Sequence, residues 1–125
     1  MRGEKGYRYP WGNTWYSGYS NTEDREKGTT PVGDYPSGAS PYGAHDMIGN
    51  VWEWTSSLYR PYPYRADDGR ENMDAEDYRV IRGSAWWNDY KAARAACRTL
   101  GLGLGYIGDF DGFRVGWSAP FSPSL

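Results

Sequence analysis

The chain has 125 residues, a net charge of −2 and a single cysteine, Cys97, which bounds it to one domain spanning residues 1–125. That charge offers no basic surface for nucleic acid or an acidic membrane, and no apolar run approaches the ~20 residues of a membrane helix. One thiol excludes an internal disulfide and a cysteine-based zinc cluster.

The segment from Met1 to Gly12 is charged and aromatic, unlike a signal peptide, so the expected compartment is the cytoplasm by default. Residues 1–41 are punctuated by Pro10, Gly12, Asn13, Gly18, Gly28, Pro31, Gly33, Pro36, Gly38 and Pro41, which predicts turns and no helical period. Val51, Trp52, Trp54, Thr55 and Tyr59 predict a strand over 50–59. Residues 60–77 are polar and acidic, with Pro61 and Pro63, and read as an exposed loop. A second strand is predicted from Arg79 to Trp87, opening on Val80 and Ile81.

Tyr90 to Leu100 stays open between helix and loop: Ala92, Ala93, Ala95 and Ala96 favour helix, but the segment is short and has no cap. Gly112 to Trp117 predicts a last strand, and the tail from Ser118 holds two prolines and frays. Gly103 to Gly108 spells G-x-G-x-x-G, but Asp109, Phe110, Asp111 and Gly112 follow instead of a helix, so the dinucleotide reading is rejected. Seven Trp and twelve Tyr beside three Phe supply large rings to a core poor in Leu and Ile. The same residue types suit a binding surface. Cys97 is expected to fill core space rather than react.

Four blocks carry a family resemblance. They are Tyr9-Pro10-Trp11-Gly12-Asn13; Gly28-Thr29-Thr30-Pro31-Val32-Gly33; the run from Tyr42 to Thr55, with Gly49-Asn50-Val51-Trp52-Glu53-Trp54 at its heart; and Val80-Ile81-Arg82-Gly83 followed by Gly112-Phe113-Arg114-Val115. Their order and spacing resemble the sulfatase-modifying-factor, or formylglycine-generating enzyme, domain family. The resemblance implies an α+β, C-type-lectin-like fold of short strands and long loops. It also implies that the chain begins where such domains are near their midpoint, as a fragment or a minimal version.

The formylglycine-generating enzymes bind copper through two cysteines after the Arg-Gly motif, and Ser84 to Ala96 contains none. One soft thiolate cannot make a two-thiolate site, so no copper is expected. The related ergothioneine-pathway enzymes use an iron-binding histidine cluster in another domain, and His45 is the one histidine here; it reads as a local hydrogen-bonding residue. The chain is therefore expected not to be an enzyme, the alternative being a formylglycine-generating enzyme homologue or fragment that has lost its copper cysteines.

The resemblance implies calcium, held by the side chains of Asp46 and Glu53 and the carbonyls of Gly49 and Val51. Two carboxylates converging without a basic neighbour need a cation between them. The competing reading has Asp46 capping a turn and Glu53 paired with an arginine such as Arg82. A second, weaker calcium site would use Asn21, Asp24 and the carbonyls of Thr22 and Glu26.

One subgroup of the fold, the variable proteins of diversity-generating retroelements, confines variation to a C-terminal segment that avoids Trp, Met, Lys, Glu and Gln. Thr99 to Asp111 contains none of these five. That resemblance implies a hypervariable ligand-binding region over 82–115. Its expected contacts are Ser84, Ala85, Trp87, Asn88, Asp89 and Tyr90, then Leu100, Leu102, Leu104, Tyr106, Asp109, Phe110 and Asp111. The expected partner is a protein or surface glycan, and exposed aromatics would favour self-association.

Overall fold

The structure, a computed structural model, describes residues 2–101 and 108–116. Its organising element is β1, Trp52–Leu58, whose aromatic and β-branched residues suit a pleated surface. β2 (Arg79–Arg82) pairs antiparallel with it, setting Glu53 opposite Arg82 and Trp54 opposite Ile81. β3 (Thr99–Leu100) extends the sheet antiparallel on β2, and β4 (Asp111–Gly112) runs parallel to β1 on its other side. The sheet order is β3-β2-β1-β4.

Side chains alternate across a strand, and the two faces of β1–β2 differ accordingly. Trp52 and Ile81 join Ala85 in a buried cluster against which Trp54, Cys97 and Phe110 pack, which gives Cys97 its space-filling place. Gly101 is required there: a Cβ would lie 2.3 Å from the Trp54 ring. A second cluster of Tyr9, Ile48 and Ala93 is flanked by Trp11 and Trp15. The rings of Tyr9 and Trp15 sit 5.1 Å apart, and Trp15 reaches Tyr90 at 6.3 Å. Large rings thus do the packing that aliphatic residues do elsewhere.

Two expectations change, and the reading left open for Tyr90 to Leu100 is settled. The strand predicted from Arg79 to Trp87 stops at Arg82, because Gly83 (φ +100°) and Ser84 (φ +65°) turn the backbone out of extended geometry. Tyr90 to Leu100 forms turns ending in β3, not a helix. The Asp89 carboxylate accepts the Lys91 and Ala92 N–H groups, and the Ala95 N–H donates to the Arg8 carbonyl at 2.8 Å, so the N-terminal segment takes the hydrogen bond a helix would have used. The last strand is Asp111–Gly112, one residue earlier than expected and much shorter among the described residues. The helical half of the α+β expectation is not met there either: strands, loops and one 3-10 turn at Pro36–Gly38 make up the described residues.

Candidate functional site

The site is built around a buried hub at Gly49 and Asn50. The Gly49 N–H donates to the Gly83 carbonyl at 2.7 Å and approaches Ser84 Oγ at 3.0 Å. The Asn50 N–H donates to the Asn21 carbonyl, and the Asn50 carbonyl accepts the Trp86 N–H at 3.0 Å. The Asn50 side chain accepts the Thr30 N–H at 2.9 Å and donates back to the Thr30 carbonyl at 3.1 Å. Glu23 and Asp24 donate their N–H groups to the carbonyls of Asn88 and Trp86. Three segments far apart in sequence are thereby locked behind the turn 83–88.

That turn sets the outward residues. Trp87 is 48% exposed and meets Phe110 edge-on at 5.9 Å between ring centroids. Tyr90 is 44% exposed and leans on Trp15. Asp89 and Asp109 are exposed nearby in sequence. Asp111 is half-buried, with Oδ1 lacking a hydrogen-bond partner, and burial pushes its carboxyl pKa up.

The expected contact set narrows. Ser84 and Ala85 have no exposed surface, so neither touches a ligand; Ser84 Oγ serves the hub instead. The Asn88 side chain accepts the Ala85 N–H at 2.8 Å, and the Asp89 carboxylate caps its own turn. Both are turn-forming residues by their bonding. Trp87, Tyr90, Leu100, Asp109 and Phe110 keep accessible surface. Leu102, Leu104 and Tyr106 lie outside the described residues.

The proposed calcium loop has an arginine in it. Arg114 Nε lies 2.8 and 2.7 Å from the two Glu53 carboxylate oxygens, and its Nη2 also bonds Glu53. Arg114 further donates to the His45 carbonyl at 3.1 Å and the Asp46 carbonyl at 3.0 Å. The Glu53 carboxylate raises the Arg114 pKa above its ordinary value. Asp46 Oδ2 accepts the Gly33 N–H at 3.0 Å, as a turn-capping carboxylate would. The premise that these carboxylates lack a basic neighbour is therefore corrected. The guanidinium fork satisfies Glu53 and two carbonyls at once, and Arg82, the partner considered from sequence, instead donates to the Cys97 carbonyl. The signal for Arg114 was present in the Gly112-Phe113-Arg114-Val115 block, but nothing local ties it to a residue so distant in sequence.

At the second calcium site Asp24 pairs with Lys27, and Glu26 accepts the Tyr35 hydroxyl at 3.2 Å. Asn21 and Thr22 are fully buried, and Asn21 Oδ1 has no hydrogen-bond partner. His45, expected to hydrogen-bond locally, has a buried Nδ1 that is also without a partner. Among the described residues no three His, Cys, Asp or Glu side chains converge as a metal cluster, and no helix is long and apolar enough to cross a membrane.

Relatives give this geometry its context. The chain is 43% identical over 88 residues to a hercynine oxygenase of Mycolicibacterium smegmatis, a match covering 63% of this chain and 21% of that protein. It is 36% identical over 95 residues to an inactive C-alpha-formylglycine-generating enzyme 2 of Mus musculus, covering 67% of this chain and 27% of that protein. The chain thus spans about a fifth to a quarter of these relatives. Among solved structures, PvdO of Pseudomonas aeruginosa superposes with a TM-score of 0.72 at 28% identity, over 90% of this chain and 46% of that one. Treponema denticola variable protein 1 superposes at 0.64 and 22% identity, over 84% and 39%, a likeness of fold alone.

The expectation that the chain is not an enzyme is overturned by the oxygenase relatives. The missing cysteine pair bears on copper–thiolate chemistry and does not extend to other oxygenase chemistry. The mostly strand-and-loop fold is consistent with a C-type-lectin-like architecture. Residues 1–119 match the model of the sulfatase-modifying factor enzyme 1-like domain, and the chain belongs to that family.

Proposed function

We propose that the chain is a ligand-binding part of an oxygenase-type protein, with Trp87, Tyr90, Asp109 and Phe110 as its binding face. The observation that carries this reading is the half-exposed Trp87 ring, held edge-on by Phe110 on a turn anchored through the hub. Rigid aromatic rings bind with little entropy loss, and their faces attract quaternary ammonium groups. Hercynine, the trimethylammonium betaine of histidine, fits that chemistry, and the carboxylates of Asp89 and Asp109 add to the attraction. Titration of hercynine should give a saturable change in tryptophan fluorescence; no saturable change contradicts the reading.

A second reading is a diversified ligand surface over 82–115, directed at a protein or surface glycan. Its support is compositional, the lack of Trp, Met, Lys, Glu and Gln from Thr99 to Asp111. A near-identical template repeat beside a reverse-transcriptase gene is what it requires, and a gene neighbourhood without one removes it.

Calcium belongs to the proposal as a brace of the scaffold. As they stand, Asp46, Gly49, Val51 and Glu53 fit a guanidinium better than a metal, because Arg114 already neutralises Glu53. Asn21, Thr22, Asp24 and Glu26 fit better in one respect, the buried unpartnered Asn21 Oδ1. Millimolar calcium is expected to raise Tm and chelator to reverse the rise, with Asn21→Ala abolishing the response. An unchanged Tm excludes a structural calcium ion at either place.

A further inference from the structure

A cavity of about 180 Å³ opens on the face of β1–β2 turned away from the Trp52–Ile81 cluster. Its floor is Thr55, Ser57 and Val80, and three arginines, Arg70, Arg82 and Arg98, reach into its wall. We propose that this cavity binds the carboxylate of a small organic acid, clamped between Arg82 and Arg98.

The three arginines are not equivalent. Arg70 is buried and committed: Nε lies 2.9 Å from the Asp68 carboxylate, and Nη2 bonds Asp68 and the Pro61 carbonyl. The Arg70 guanidinium holds the Asp68 carboxyl at about 2, so the pair stays ionised and neutral overall. Arg82 spends one N–H on the Cys97 carbonyl at 3.3 Å, and Arg98 spends one on the Arg60 carbonyl at 2.7 Å. Neither has a carboxylate partner among the described residues, and their other N–H groups have no hydrogen-bond acceptor there.

Arg98 is also held in place. Its guanidinium carbon stacks over the Tyr62 ring at 4.2 Å and the Tyr59 ring at 4.7 Å. Such stacking fixes the plane of the fork, which is what bidentate carboxylate recognition uses. Two cations without acidic partners, lining one concavity, favour an anion there.

The charge balance selects the anion. Arg82 and Arg98 bring two positive charges. Glu71, bonded to the lining residues rather than lining the cavity itself, brings one negative charge, its carboxylate accepting the Ser57 hydroxyl at 2.8 Å and the Tyr64 hydroxyl at 3.3 Å, while Glu53, opposite Arg82 in the strand register, is neutralised by Arg114. The surplus is a single positive charge, matching a monocarboxylate rather than a phosphate dianion. The exposed Tyr62 and Tyr64 rings offer apolar surface for a short hydrocarbon or aromatic body. The volume lies below the roughly 300 Å³ of sites for drug-sized ligands, which restricts the ligand to a small acid. This cavity shares no lining residue with the Trp87 face, so either proposal can fail without the other.

The test titrates the full chain with benzoate at low salt, using benzamide as the neutral isostere. Benzoate should saturate with Kd on the order of 1 mM, and benzamide should not bind. Arg82→Gln should weaken benzoate by about tenfold or more, whereas Arg94→Gln on a separate surface should leave it unchanged. Amide shift mapping on the unmodified chain reads the same site without a variant: benzoate must move Ser57, Arg82 and Arg98. Equal binding of benzamide, tighter binding of sulfate than of benzoate, an unimpaired Arg82→Gln variant, or shifts confined elsewhere each overturns the proposal.

Discussion

Gly49→Ala is expected to destabilise the protein by about 3 kcal/mol or more, more than any surface change. Gly49 sits at φ +80°, where an L side chain costs about 1–2 kcal/mol. Its added Cβ would also lie 2.4 Å from the Asn21 carbonyl oxygen, and relieving that overlap costs about 1–3 kcal/mol of backbone displacement. A domain of this size should lose on the order of 10 °C in Tm, measured by circular dichroism. The displaced hub also carries the Gly83 and Ser84 contacts that set the Trp87 turn. A ligand-binding defect should therefore accompany the lower Tm even at temperatures where the variant is folded. A Tm within 2 °C or so of the parent would mean that the hub relaxes freely, contrary to the close contacts described.

Arg114→Ala carries the second large effect. The Glu53 side chain is 16% exposed and the Arg114 side chain 41% exposed, so the pair lies between the buried and surface regimes. Removing the arginine leaves Glu53 and the His45 and Asp46 carbonyls without their shared donor, at a cost of about 2 kcal/mol. Salt should not rescue it, because the loss is of specific hydrogen bonds as well as charge. Calcium separates the two metal assignments. If the oxygens of Asp46, Gly49, Val51 and Glu53 are calcium ligands, the ion should restore much of the lost Tm in Arg114→Ala. If calcium acts only through Asn21, the parent and the variant should gain equally.

Much of the fold was legible because its signals are local. β1 is an aromatic and β-branched run, and the turn-rich opening announces itself by proline and glycine. What the sequence hid depends on backbone choices or distant partners. Gly83 is the one local signal of a break in Arg79 to Trp87, and nothing there says that Ser84 also adopts positive φ, so that the strand ends after four residues. The alanines of 90–100 favour helix until the Arg8 carbonyl claims the Ala95 N–H. Glu53 meets Arg114 across 61 positions, while cross-strand pairing alone would nominate Arg82. The cationic cavity is harder still, since Arg70, Arg82 and Arg98 share no period or motif and meet only through the β1–β2–β3 arrangement.

For the candidate site, the residue types were legible and their roles were divided by burial. Trp87, Tyr90 and Phe110 are aromatic in sequence and present rings in the fold. Ser84, Ala85 and Asn88 came from the same stretch but work as scaffold. A turn stabilised by its own side chains must bury some of them, and sequence alone does not tell which.

The most direct measurement is calorimetric titration of hercynine into the parent chain and into Trp87→Leu, with Tm recorded for both. The parent should bind saturably, Trp87→Leu at least about tenfold more weakly, and the Tm values should be closely similar, since Trp87 is half-exposed. Equal affinity in the two proteins, or a weakened affinity that merely tracks a collapsed Tm, would contradict the assignment of the Trp87–Phe110 face as the binding surface.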